Sequence, residues 1–428
     1  MKKTFNSILA FLPIAIFLIL LLTVLRTSIF GQVEDGKHIY FEIVFLLLLA
    51  VAGEIAVIYL KQPSVMILMV LGMLLSPSVM AITWDFLISL QLPFAMPAEP
   101  PHIFRSEQII QVFAQLGAVI LLFKVGLHSR MERIFAMDNL IVASLGVIFP
   151  FIVGYLYASA TGGDFAYSMF LAAALTATSV GVTVAILKEY KLMEERFAQI
   201  IIGAAVIDDV LGLLVLSFVI NVAGGVGSLA PLLMTFISAC VFLFGSVVAG
   251  AYFVRYLDRK EMSPRRFMLV LALMLLYAYI AEFIQLSAIV GAFIAGLVLN
   301  RSKYLGEIED KTYGLELLFM PIFFITLGML VDVNALGAFA VPIVIITLLA
   351  FFSKAIACAI GSLWAKLPLH DSLLVGIGMV PRGEVALIVA SIGLTSGVLT
   401  VAQYSIISAM ALLTTFMVPP LLSRMLKK

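Results

Sequence analysis

The sequence predicts an all-α integral membrane protein of about 13–14 transmembrane helices, and three observations carry that expectation. Of its 428 residues, 63% are hydrophobic and only 12% charged, whereas a soluble domain is about half apolar with about 25% charge. The apolar residues come in unbroken runs suited to helices of roughly 20 residues, not in the alternating ten-residue segments of a membrane barrel. A mean hydropathy of +1.17 describes a chain that such runs fill from end to end.

Read against Pro, Gly and charge clusters, the runs place spans at 8–30, 39–60, 65–84, 107–127, 137–160, 166–188 and 197–222. Seven more follow at 231–254, 267–284, 287–299, 314–331, 339–365, 372–396 and 400–424. The first opens like a secretory signal, with Lys2 and Lys3 before an apolar stretch. No small-residue cleavage site follows, and the run through Leu25 is long for a signal, so a retained helix is expected. The segment 287–299 is too short for an ordinary span and reads as tilted, or as fused to its neighbour across Gln285–Leu286.

Cytoplasmic loops carry the excess of Lys and Arg. With the N terminus inside, 21 of the 26 basic residues fall on the cytoplasmic side, and only Arg26, Lys37 and Arg105 on the other. Both termini are therefore expected in the cytoplasm. No basic or acidic run suggests nucleic acid. Cys240 and Cys358 lie inside spans without short spacing, so they read as free thiols, and His38, His102, His128 and His370, in or beside loops, form no metal-ligand pattern.

Beyond the first helix the pattern reads as two six-helix units, 39–222 and 267–424, separated by a linker helix at 231–254. A seven-helix offset turns the second unit upside down. Inverted repeats of this kind place substrate near the bilayer midplane, at interrupted helices. The fifth helix of each unit carries the marks of interruption. Span 166–188 holds Thr176, Ala177, Thr178 and Ser179, with Gly181 expected to permit unwinding. Span 372–396 holds Gly378, Met379, Val380, Pro381, Arg382, Gly383 and Glu384, and the proline has no N–H to donate.

An ionisable group inside a span is costly and usually has a partner and a role. Asp208 and Asp209 lie midway along 197–222, and adjacent helical residues point about 100° apart. One of them is therefore expected to bind the transported ion while the other pairs elsewhere. Lys354, midway along 339–365, is the available opposite charge. Arg382 and Glu384 read as structural or gating groups that neutralise helix ends. Glu54 and Glu282 read as satisfied contacts between helices, and Lys124 as a side chain snorkelling to the cytoplasmic surface.

At these residues the chain resembles the monovalent cation:proton antiporter superfamily, in the bacterial sodium/proton antiporter branch that includes the Kef-type potassium/proton systems. The resemblance rests on Ala205 to Gly212, on Thr176 to Ser179, on the helix of Lys354 and on Gly378 to Val385. It covers about 39–424, leaving 1–38 as an extra helix and loop before a sodium/hydrogen exchanger domain over 39–428. It implies a dimer-forming panel and a mobile six-helix core with two crossing interrupted helices. It further implies that Asp209 is occupied in turn by cation (Na+) and proton, that Asp208 pairs with Lys354, and that Thr176, Thr178, Ser179, Pro381, Arg382 and Glu384 line the site. Exchange would be electrogenic, by elevator-like alternating access, in a homodimer in a bacterial inner membrane, without an enzymatic step or resident cofactor.

Two departures stand out. Lys124 and His128 occupy Phe123-Lys124-Val125-Gly126-Leu127-His128, where relatives typically carry an apolar residue and a Glu. The chain ends at Lys428, which makes ligand-gated potassium efflux through an attached nucleotide-binding domain the less expected function. Potassium/proton exchange and a cation channel remain as alternatives. An intramembrane aspartyl protease fits poorly, because it needs its aspartates on different helices.

Overall fold

The computed structural model describes residues 23, 26–28, 35–60, 62–90, 97, 99–101, 103–129, 136–223, 230–284 and 286–427. The expected helix 8–30 lies almost wholly outside them. The others correspond to helices α1 (Asp35–Leu60), α2 (Ser64–Leu74), α3 (Pro77–Ser89), α4 (Glu107–Leu127), α5 (Met137–Ala160), α6 (Phe165–Thr176), α7 (Val180–Glu189), α8 (Arg196–Ala223) and α9 (Ala230–Leu257). The second half contains α10 (Pro264–Phe283), α11 (Ala288–Leu299), α12 (Leu305–Met329), α13 (Val333–Ala338), α14 (Ala340–Trp364), α15 (Leu369–Gly378), α16 (Glu384–Thr395) and α17 (Val401–Leu426). Among the described residues, ten spans are long and apolar enough to cross a membrane, and counting α2 with α3 makes eleven.

Three segments differ from expectation. The span at 65–84 is not straight: α2 and α3 meet at a 56° bend. Pro77 cannot donate back into the preceding turn, and Ser76 Oγ accepts from Val79 N at 3.4 Å to start the next helix. The short span is a separate helix, α11, capped by Ser287 and buried along its whole length from Val290 to Leu299. It contacts protein on all sides, so it need not match the bilayer thickness. His38, expected in or beside a loop, lies in the first turn of α1 and is buried, with Nδ1 2.6 Å from Glu42 Oε1 and Nε2 2.9 Å from the Ser28 carbonyl.

Packing repeats with a pseudo-two-fold pattern when α1–α8 are matched to α10–α17. The α4–α11 contact is matched by α12–α2, α5–α6 by α14–α15, and α5–α8 by α14–α17; α4 with α12, and α5 with α14, pack across the axis. Glycines fix two of the matched crossings. A Cβ on Gly126 would lie 2.1 Å from the Phe293 carbonyl oxygen and one on Gly296 2.0 Å from that of Phe123. At the partner crossing, a Cβ on Gly72 would lie 1.9 Å from the Ile325 oxygen and one on Gly328 2.1 Å from that of Met69. Backbones this close are how helices gain packing energy in lipid, where no hydrophobic drive separates helix from solvent.

The helices fall into two groups. One holds α5–α8 and α14–α17; the other holds α1, α2, α4 and α10–α12. Their principal direct contacts are slender, made by α7 and α17 against α2 and α4, while α9 rests on α8, α10 and α11.

A methyl group at a glycine crossing forces two backbones apart, an overpacking that costs about 1–3 kcal/mol. Gly328→Ala is expected to lower the Tm of the detergent-solubilised protein by several degrees, whereas Gly245→Ala, with no atom within 4 Å of the added carbon, leaves it unchanged.

Candidate functional site

Both helix breaks expected from the sequence are present, and they cross. α6 ends at Thr176 and α7 begins at Val180; between them Ala177 (φ −58°, ψ 142°) and Ser179 (φ −111°, ψ 103°) are extended. Gly181 is therefore not the residue that unwinds: it lies inside α7, and the break uses conformations open to any residue. α15 ends at Gly378 and α16 starts at Glu384. The two linkers hydrogen bond to each other. Ser179 N donates to the Pro381 carbonyl at 2.7 Å, Thr183 Oγ1 to that of Gly378 at 2.7 Å, and Thr178 Oγ1 to that of Met379 at 3.4 Å. Gly383 is needed at this crossing, because a Cβ there would lie 2.7 Å from Ser179 Oγ.

A break inside a membrane exposes carbonyls that water cannot reach, and the end of α6 also concentrates the negative pole of that helix. Two buried cations answer both demands. Lys354 Nζ donates to the Thr176 carbonyl at 2.7 Å, and Arg382 donates to that of Leu175 from Nε at 3.2 Å and Nη2 at 2.6 Å. Arg382 Nη1 also holds its own linker through the Val380 carbonyl at 2.9 Å, and Thr415 donates to the Arg382 carbonyl. Both cations are fully buried. Lys354 has a second partner in Asp208 Oδ1, 2.7 Å away and likewise buried.

The neighbouring aspartate faces elsewhere. Asp209 is half-buried and borders two cavities. The smaller, about 20 Å³, is bordered by Asp209, Thr178, Ser179 and Ser287 among others. That is room for one water-sized guest, amid the hard oxygen donors that suit an alkali or alkaline-earth ion. The larger, about 570 Å³, runs from Asp209 past Gln115, Gln111, Glu282 and Thr326. Of the residues expected to line the site, Thr178 and Ser179 border a cavity with Asp209. Thr176, Pro381 and Arg382 line neither of these cavities: the Pro381 carbonyl and the Arg382 guanidinium tie the two breaks together, and the Thr176 carbonyl accepts from Lys354. Glu384 opens α16; its side chain lies outside the described residues.

Other intramembrane charges depart from expectation. Lys124 does not snorkel: it is buried and donates to Glu316 Oε2 at 2.7 Å, and Lys188 bonds the other oxygen of the same carboxylate. The hydropathy window hid this pair, because Glu316 stands at the margin of an apolar run in a helix that begins earlier, at Leu305. Glu54 and Glu282 are exposed rather than held between helices, Glu282 on the wall of the large cavity. Glu42, which no sequence pattern singles out, is buried and accepts from the N–H groups of Arg105 and Ser106 at 2.8 and 3.2 Å.

A multi-pass helical bundle with two crossed helix breaks, buried charges at the crossing and a carboxylate open to a cavity defines a membrane transporter of the inverted-repeat kind. The family model described as "Sodium/hydrogen exchanger, transmembrane" matches residues 43–428, and the chain belongs to that family. It is 34% identical over 341 residues to the high-affinity Na+/H+ antiporter NhaS3 of Synechocystis sp., spanning 76% of this chain and 73% of that protein. It is 31% identical over 391 residues to the Na+/H+-K+ antiporter GerN of Bacillus cereus, 90% of this chain and 95% of that one. Its fold is similar to that of the sodium proton antiporter MjNhaP1 from Methanocaldococcus jannaschii at pH 8, with a TM-score of 0.60, 18% identity, and coverage of 91% and 99% of the two chains.

Removing one member of a buried pair strands the other, at about 3–5 kcal/mol. Lys354→Ala should therefore lower the Tm sharply, since Asp208 and the Thr176 carbonyl both lose their donor. Adding Asp208→Asn to Lys354→Ala should cost less than the two single losses summed. Thermal unfolding of the four proteins measures this, and simple additivity would show that the pair is not energetically coupled.

Proposed function

We propose that the chain is a secondary active antiporter, not an enzyme, that exchanges a monovalent cation, sodium in the first place, for protons at Asp209. The observation that carries the reading is the position of this carboxylate, beside the crossed helix breaks and open to a cavity, while its neighbour Asp208 is engaged by Lys354.

Charge balance explains why cargo must be exchanged. Moving an ionised carboxylate that borders a cavity across the bilayer centre costs several kcal/mol. A proton or a sodium ion on Asp209 removes that charge, so the loaded site moves and the empty one does not. The two cargoes compete for one carboxylate, which is the condition for obligatory exchange. The likeness of the buried Asp208–Lys354 pair beside Asp209 to that of the family supports electrogenic exchange, with more than one proton per cation.

The movement is elevator-like, with the group α5–α8 and α14–α17 sliding against α1, α2, α4 and α10–α12. The slender contacts between the groups support it. The panel that stays still also provides the surface for a homodimer. The excess of basic residues in the loops on one side supports a cytoplasmic location of both termini, in a bacterial inner membrane. Sodium and protons are the cargo, and no resident cofactor takes part. The oxygen donors around Asp209 suit sodium or lithium, and the name of GerN includes potassium, so potassium ranks next.

In sealed proteoliposomes with an imposed pH gradient, sodium is expected to dissipate the gradient in the wild type faster than potassium, as read by a pH-sensitive dye. Asp209→Asn should reduce the rate to that of empty vesicles while the protein remains inserted and folded. Retained exchange removes Asp209 from its role, and cation flux without proton movement would make the protein a channel. A potassium-diffusion potential that speeds or slows the wild type reports electrogenicity, and Lys354→Ala is expected to weaken that dependence.

A further inference from the structure

At the opposite end of the molecule from the large cavity, three charges from three helices meet. Glu316 on α12 presents one carboxylate oxygen to Lys124 on α4, at 2.7 Å, and the other to Lys188 in the last turn of α7. Lys124 and Glu316 are nearly closed off from solvent, whereas Lys188 is 30% exposed at the edge. Lys124 also stands over the Tyr313 ring, 5.2 Å from its centre, and His128 Nε2 lies 3.2 Å from Glu309 Oε1 beside it. The next residue of α7 makes a second tie: Glu189 Oε2 accepts from Ser64 N at 3.0 Å and Ser64 Oγ at 2.9 Å, at the start of α2.

The allegiance of these helices gives the cluster its meaning. α2, α4 and α12 belong to one helix group and α7 to the other. α7 is also the second half of the interrupted helix, and its first residues, Val180 and Gly181, border the cavity at Asp209. Ten residues of rigid helix therefore connect the ion site to the Lys188 and Glu189 ties. In this structure those ties are made at one end while the large cavity lies at the other.

We infer that Lys188–Glu316 is the latch of the gate opposite the large cavity, and that Lys124 is the residue that lets the latch open. The inference rests on the alternating-access reading above. Opening breaks the Lys188 arm, which would strand a buried carboxylate were Lys188 its only partner. Lys124 travels with Glu316, on the same helix group, and keeps that carboxylate paired after Lys188 has left. Lys124 also repels Lys188 in the latched state. The two lysines touch the same carboxylate, yet they act in opposite directions on the equilibrium between the two states.

The test reads conformation separately from transport. Gln115→Cys places a thiol on the wall of the large cavity, in a Cys240→Ala background in which Cys358 is fully buried. Labelling by a membrane-impermeant maleimide then reports how often that cavity is open. Lys188→Gln is expected to slow labelling on the order of fivefold, a shift typical of coupled equilibria, and Lys188→Arg to restore it. Lys124→Gln is expected to leave labelling as fast as wild type or faster, while slowing exchange in the dye assay. Equal labelling in all variants, or slowed labelling in Lys124→Gln, overturns the latch. Labelling that follows expectation in a protein that exchanges no cation upholds the latch and overturns the antiport reading instead.

Discussion

The structure depends on how a broken helix is made tolerable inside a membrane. Ending α6 at Thr176 leaves carbonyl oxygens where no water can reach them, and each such group costs several kcal/mol. Lys354 and Arg382 resolve this from two other segments, one on α14 and one in the opposite linker. Cations suit the site because the end of α6 is the negative end of its dipole. Importing two positive charges then creates its own requirement, met in part by Asp208. The crossing, the buried charges and the remaining carboxylate are thus successive consequences of one backbone problem, and Asp209 is where the chain of compensation reaches a cavity.

That order explains why so much was legible in the sequence. Apolar runs report their own burial, so the span limits at 107–127 and 137–160 coincide with α4 and α5. Hydroxyls and glycines clustered at matching places in the two halves pointed to both breaks, since ordinary helix contacts use the same residues but have no need to recur at the same place in each half. Asp208, Asp209 and Lys354 stood out because charge in an apolar run is costly enough to be rare. The roles assigned to them rest on geometry and family likeness together: the pairing of Asp208 is a contact, whereas the service of Asp209 to an ion is an inference from its opening to space.

What escaped the sequence has a common cause. Glu316 and Lys124 meet across 192 residues of chain, and neither lies deep enough in its apolar run for burial to be read from hydropathy. A lysine near the end of a span can snorkel or can turn inward, and the choice depends on whether a carboxylate waits on a neighbouring helix. The bend between α2 and α3 was hidden for a different reason, because the apolar run continues through Ser76 and Pro77 without a change in character. Gly181 was credited with an unwinding that extended, ordinary residues perform three positions earlier.

The two ends of the molecule are built on different principles, and the difference bears on how such a fold can move. At the cavity end the helix groups are separated by space, with Gln111, Gln115 and Glu282 facing a volume of about 570 Å³. At the other end they are joined by ion pairs and hydrogen bonds, which are directional and break within a short displacement. Packed apolar surfaces resist separation over their whole area, whereas a few charged contacts let go at once and re-form with the same geometry. Apolar packing also joins the groups, as at the start of α7, where a Cβ on Gly181 would lie 3.6 Å from Phe323 of α12, so the polar ties at the far tip of α7 are one part of a mixed joint. Symmetry adds the final constraint: α16 is the pseudo-two-fold counterpart of α7, yet its last turn, Ile392 to Thr395, contains no charged side chain. The two ends are therefore not equivalent: the polar ties are made at the end opposite the large cavity.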